Sequence, residues 1–170
     1  MKQLIGIFFL TICTLLIGAC DQQGRPIQEF GLDKLSKGIS TEGDVRSVMG
    51  QPDMVREEGD GSRTLEYPKG PAGHRTWFFT IGKDGKLMDY RQVLTEENFA
   101  RIKPGMSMDE VRRTLGKPRS VAQYKLKNEE VWDWAYLQST QKTRLFNVHF
   151  DMSTRAVTRM SMSEDPHSPY

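Results

Sequence analysis

The stretch Pro104-Gly-Met-Ser-Met-Asp-Glu-Val-Arg-Arg-Thr-Leu-Gly-Lys-Pro118 repeats, with substitutions, an earlier one, Lys37-Gly-Ile-Ser-Thr-Glu-Gly-Asp-Val-Arg-Ser-Val-Met-Gly-Gln-Pro52. Gly38 aligns with Gly105, Val45 with Val111, Gly50 with Gly116 and Pro52 with Pro118, so the chain is a duplication. The offset is 67 residues before the helix and 66 within it, which gives the first copy one extra residue at the helix start. In each copy the stretch starts and stops one short helix. Ser107 with Glu110 forms a capping box, and Thr41 with Asp44 is its weaker counterpart, because Asp is shorter than the usual Glu or Gln. Met108, Val111 and Leu115 then share one helix face, as do Val45, Val48 and Met49. Gly116 and Gly50 end the helices, and Pro118 and Pro52 keep them from resuming.

Working outward, Leu32 and Leu35 make a helical turn ahead of the first stretch, and Phe99 and Ile102, with Thr95 as cap, do the same ahead of the second. After each helix pair comes a meander. Strands are expected at 54–56, 63–67, 76–81 and 87–93, and again at 120–126, 130–137, 144–150 and 156–161, separated by Gly-, Asp- and Pro-rich turns. Alternation sets Leu65, Tyr67, Trp77, Phe79 and Ile81 against one helix pair, and Trp132, Trp134, Phe146, Val148 and Phe150 against the other. Phe78, Met88, Tyr90, Leu145, Met160 and Met162 fall to the opposite faces. These form a candidate open sheet face for a protein partner, because Met and aromatic side chains adapt to a protein surface; the alternative is that the repeats cover it internally.

The motif G-M-S-x-x-x-V-x-x-x-L-G-x-P followed by a Trp- and Tyr-rich strand, spanning roughly the last 70 residues, resembles the SmpA/OmlA (BamE-like) family of bacterial lipoproteins. Two such units in tandem also resemble the architecture of the β-lactamase inhibitory protein. The resemblance implies an α+β fold of two tandem repeats, each a short helix pair packed on a four-stranded antiparallel sheet. It carries over only Gly105, Met106, Ser107, Val111, Leu115, Gly116 and Pro118, and these read as structural.

At the N-terminus, Lys2 and the apolar run 4–17 read as a secretory signal, too short to settle as a membrane span. Ile17, Gly18, Ala19 and Cys20 form a lipobox, in which Cys20 receives the diacylglycerol. The expected divisions are a lipoprotein signal peptide at 1–19, a lipidated tether at 20–28, repeat 1 at 29–94, repeat 2 at 95–162 and a disordered tail at 163–170. The folded part should face the periplasm of a Gram-negative bacterium. The family resemblance implies the outer membrane, whereas Asp21 after the acylated Cys20 implies the inner one if it acts as a retention signal. The other cysteine, Cys13, lies in the signal, so no disulfide is expected and the fold must hold by packing.

Charge is nearly balanced overall, with 24 basic and 22 acidic residues, yet unevenly placed. Residues 21–100 carry 11 basic and 14 acidic side chains, and residues 101–170 carry 12 and 8. Arg101, Arg112, Arg113, Lys117 and Arg119 form a candidate surface for lipid headgroups or an acidic partner. The histidines, His74, His149 and His167, lack metal-ligand spacing, and no catalytic motif is present, so neither cofactor nor enzyme activity is expected. Export and the lack of a nucleic-acid motif argue against nucleic acid. The expected role is a non-enzymatic, protein-binding scaffold in outer-membrane protein assembly or envelope integrity, held to the bilayer by acylated Cys20. The resemblance names the barrel-assembly machinery as the partner. The alternative is a periplasmic adaptor or inhibitor of an enzyme.

Overall fold

The computed structural model describes residues 31–68, 73–139 and 142–166. The signal segment, the lipobox with Cys20, the tether and the end of the tail lie outside these residues. Repeat 1 comprises a 3-10 turn Leu32–Lys34, α1 (Glu42–Met49), β1 (Met54–Glu57), β2 (Arg63–Pro68), β3 (Thr76–Ile81) and β4 (Leu87–Gln92). Repeat 2 comprises α2 (Glu96–Arg101), α3 (Met108–Leu115), β5 (Ser120–Tyr124), a 3-10 turn Lys125–Lys127, β6 (Glu129–Ser139), β7 (Lys142–Asp151) and β8 (Val157–Glu164). The strands form two antiparallel sheets, ordered β1-β2-β3-β4 and β5-β6-β7-β8. The fold is α+β, two tandem helix-and-meander repeats.

The helix starts follow from their caps. Thr41 accepts the Asp44 N–H at 3.3 Å while the Asp44 carboxylate accepts the Thr41 N–H at 2.8 Å, and Ser107 and Glu110 repeat both distances. The aspartate is long enough to close its box. Ahead of each cap, the Gly38 N–H donates to the Leu87 carbonyl at 2.7 Å and the Gly105 N–H to the Val157 carbonyl at 2.8 Å, tying each helix to the start of its last strand. The extra residue of repeat 1 is taken up between Gly38 and Thr41, where Ile39 stands exposed.

Strand parity holds in the first strands of each sheet and fails in the last. Ile81 pairs with Leu87 but Thr80 with Asp89, so Met88 has no partner; likewise Phe150 pairs with Val157 but His149 with Arg159, leaving out Thr158. Each is a one-residue bulge, which moves every later side chain of the strand to the other face. Tyr90 therefore sits opposite Phe79 on the helix side of sheet 1, stacked on it at 5.5 Å, and Met160 sits opposite Val148 against the core of repeat 2. Met162 pairs with Phe146 on that same side, half exposed. The open face expected from the sequence does not exist as one surface, and only Met88 and Met162 of that set are exposed. β8 also runs past 162 to Glu164, because β7 is long enough to pair with it there, which corrects the expected start of the tail.

The first core packs the 3-10 turn and α1 on one face of sheet 1, through Leu35, Val45, Leu65, Phe79, Ile81 and Leu87. The second packs α2 and α3 on sheet 2, through Phe99, Val111, Leu115, Trp134, Phe146 and Phe150. Phe78, from the far face of sheet 1, belongs to this second core and is 1% exposed. Sheet 1 is thus covered on both faces, by α1 on one and by repeat 2 on the other.

Gly116 marks the contact. A Cβ there would lie 2.8 Å from Thr76 Cγ2 and 3.1 Å from both Phe78 Cε1 and Glu66 Oε1, whereas one at its counterpart Gly50 would meet nothing within 4 Å. Both have φ near +80°, at 76° and 83°, with ψ near −160°, a region that side chains avoid. Alanine should cost about 1–3 kcal/mol at either position from strain, and a further ~1–3 kcal/mol at Gly116 alone from overpacking. Urea unfolding of the two variants checks this; equal losses would contradict a packed seam.

Candidate functional site

The contact between the repeats is organised by Glu66, a completely buried carboxylate in the middle of β2. Its register partners Met54 and Phe78 place it on the far face of sheet 1, where the end of α3 arrives. Glu66 Oε1 accepts the Lys117 N–H at 2.5 Å and lies 3.3 Å from Arg112 Nη2; Glu66 Oε2 lies 3.5 Å from Arg56 Nη1. Around it, Asp53 pairs with Lys117 Nζ at 2.6 Å and with Arg112 at 3.7 Å, and Glu58 pairs with Arg113 at 3.4 Å. Arg56 and Arg91 flank the Phe78 ring at 5.0 and 6.0 Å from its centroid. Arg112 Nη2 donates to Glu66 Oε1, whereas Glu66 Oε2 and Arg56 Nη1 make no hydrogen bond, so the Glu66–Arg56 pair is held by proximity and stabilises less than its attraction alone suggests.

These pairs change the reading of the basic stretch. Arg112, Arg113 and Lys117 face acids of repeat 1, and Arg119 holds Asp133 at 2.9 Å and Asp165 at 3.0 Å, fixing the chain just beyond β8. Arg101 stays on the surface, 3.5 Å from the side chain of Asn98. Four of the five candidate basic residues thus serve contacts inside the molecule, within or beside the seam, rather than forming a free patch. The repeat 1 acids that meet Arg112, Arg113 and Lys117 lie 46 to 64 positions away in the chain, beyond any local reading, while Arg113 also pairs with Asp109 on its own helix at 2.9 Å.

A cleft of about 290 Å³ opens at the rim of the seam, lined by Asp53, Pro68, Arg75 and Thr76 from repeat 1 and by Lys117, Pro118, Arg119 and Trp134 from repeat 2. A second hollow of about 260 Å³, lined by Met49, Gln51 and Tyr67, shares Asp53 and Pro68 with it. The sequence offered no signal for either: the first needs both repeats in place, and the second needs the end of α1 brought against the end of β2 within repeat 1. Among the described residues no group of three metal-ligating side chains occurs.

On the outer face of sheet 2, His149 bridges three strands. Its Nδ1 lies 2.9 Å from Glu129 Oε1 on β6 and its Nε2 lies 2.9 Å from Ser161 Oγ on β8, with Arg159 also 2.9 Å from Glu129. Burial, then the nearby Arg159 charge, lowers the His149 pKa below the usual 6.5, against the pull of Glu129. The folded state then binds protons less readily than the unfolded one. His149 therefore contributes stability above pH 6.5 that is lost as pH falls from there through its folded pKa. Urea titrations at a series of pH values from 8 down to 5 should show the unfolding midpoint falling across that window, and His149→Gln should flatten the fall; an unchanged slope would refute the assignment.

Two helix-and-meander repeats that bury one face of the first sheet against the helices of the second define a tandem α+β protein. Residues 92–159 match the family of the outer membrane protein assembly factor BamE domain, so the second repeat is BamE-like. No curated protein sequence matches the chain. Among solved structures, a DUF4309 family protein of Bacillus subtilis is similar at 18% identity over 77% of this chain and 82% of that one, with a TM-score of 0.29. A candidate β-lactamase inhibitor protein of Streptococcus mutans is similar at 11% identity over 73% and 82%, with a TM-score of 0.30.

Proposed function

We propose that this protein is a periplasm-facing lipoprotein, anchored through acylated Cys20, that acts as a protein-binding scaffold in outer-membrane protein assembly or envelope integrity. The observation that carries this reading is the match of residues 92–159 to the BamE domain. The lipobox Ile17-Gly18-Ala19-Cys20 supports the anchor. Among the described residues no helix is long and apolar enough to cross a membrane, so anchoring rests on the segment before residue 31. The domain divisions follow the repeats, with the tether ending near residue 28. No chemistry is assigned to the protein; it works by contact.

Affinity purification in mild detergent, with the tag on the C-terminal tail, tests the reading. Recovery of barrel-assembly components in near-stoichiometric amounts is the expected result. Recovery of a single unrelated periplasmic or inner-membrane protein instead would overturn it in favour of an adaptor or inhibitor, and would give Asp21 the meaning of a retention signal.

A further inference from the structure

Each sheet ends in two edge strands, and an edge strand offers unpaired backbone groups to any extended chain unless charge, proline or a bulge protects it. Three of the four edges are protected. β1 carries Arg56 and Glu57; β4 carries the Met88 bulge with Asp89 and Arg91; β8 carries the Thr158 bulge with Arg159. β5 has none of these. Its sequence, Ser120-Val121-Ala122-Gln123-Tyr124, holds no charge and no proline, and it runs in unbroken register along β6. Val121 and Tyr124 are 51% and 49% exposed, and Leu126 in the turn that follows is fully exposed. Lys125 and Lys127 flank Leu126, and among the described residues neither has an ion-pair partner.

We propose that β5 is a strand-addition site, where an extended segment of another protein joins sheet 2 as a fifth strand, with acidic residues at its own N-terminal end. Antiparallel addition continues the existing sheet and is the more stable pairing. It sets the start of the incoming strand beside Tyr124 to Lys127, where two unpaired ammonium groups await carboxylates, and lays its apolar side chains by Val121. A second copy of this chain fits less well. Two β5 strands paired antiparallel about Ala122 would bring Lys125 and Lys127 of each against Arg119 and Lys117 of the other, all of one sign. The proposal rests on the scaffold reading for its setting, and it names the chemistry of the partner segment.

Fluorescence anisotropy on the full chain in mild detergent tests it with two labelled peptides, Asp-Glu-Thr-Val-Thr-Val-Thr and the same residues in reverse order. The first should bind, and the reversed peptide should bind about fivefold more weakly, as expected for two exposed charge pairs. Val121→Lys should abolish binding by placing a charge on the edge. Lys125→Glu with Lys127→Glu should transfer the preference to Lys-Lys-Thr-Val-Thr-Val-Thr, which a misfolded variant could not do. Binding unaffected by Val121→Lys, no preference between the two orders, or a dimer joined through β5 in sedimentation would each overturn the proposal. If the Val121→Lys chain still recovers barrel-assembly components, the scaffold reading stands and only the edge proposal falls.

Discussion

Truncating Phe78 to alanine is expected to lower the unfolding free energy by about 3–5 kcal/mol, the range for removing a large aromatic from a closed core. A residue on the far side of a sheet would ordinarily lose much less, because one face of an antiparallel sheet can stay wet. Phe78 is 1% exposed because repeat 2 closes over it. Its ring also contacts the Arg56 and Arg91 guanidinium groups, contacts that its removal would forfeit. Urea unfolding followed by tryptophan fluorescence measures the loss, since Trp77 reports from repeat 1 and Trp132 and Trp134 from repeat 2. Both regions should weaken together. A loss under about 1 kcal/mol, in the range of ordinary surface substitutions, would mean that the seam is open in solution.

The second large effect is expected at Glu66. Removing one partner of a buried ion pair leaves the other charge uncompensated and costs about 3–5 kcal/mol. Here Arg112 keeps Asp53 at 3.7 Å and Arg56 keeps Glu58 at 3.8 Å, so Glu66→Ala should fall near the low end, about 3 kcal/mol. Glu66→Gln retains an acceptor for the Lys117 N–H and should lose less. Lys117→Ala, which breaks a pair whose side chains are 50% and 30% exposed, should cost no more than about 1 kcal/mol. Chemical denaturation of the three variants ranks them; a Lys117→Ala loss as large as that of Glu66→Ala would remove Glu66 from the centre of the seam.

The duplication, both capping boxes and the order of elements are legible in the sequence because they rest on local spacing. Thr41 with Asp44, Ser107 with Glu110, and the Gly-Pro endings each act within a few residues. Facing is legible up to the bulges: nothing in Gly82-Lys-Asp-Gly-Lys-Leu-Met88 marks Met88 as the unpaired residue, so Tyr90 lies on the face opposite to the one alternation predicts. The seam is the least legible feature, since Glu66 meets Arg112 and Lys117 only once the repeats are docked. Two signals point to it nonetheless. The run Trp77-Phe78-Phe79 is apolar on both faces, which an exposed antiparallel strand rarely is, and Glu66 is a lone acid between Leu65 and Tyr67.

The two repeats form one cooperative body through a shared core, with Phe78 of repeat 1 packed among the residues of repeat 2. Differential scanning calorimetry of the full chain in mild detergent tests it most directly. A single transition whose calorimetric and van't Hoff enthalpies agree is the predicted result. Two separable transitions, one for each repeat, would contradict it.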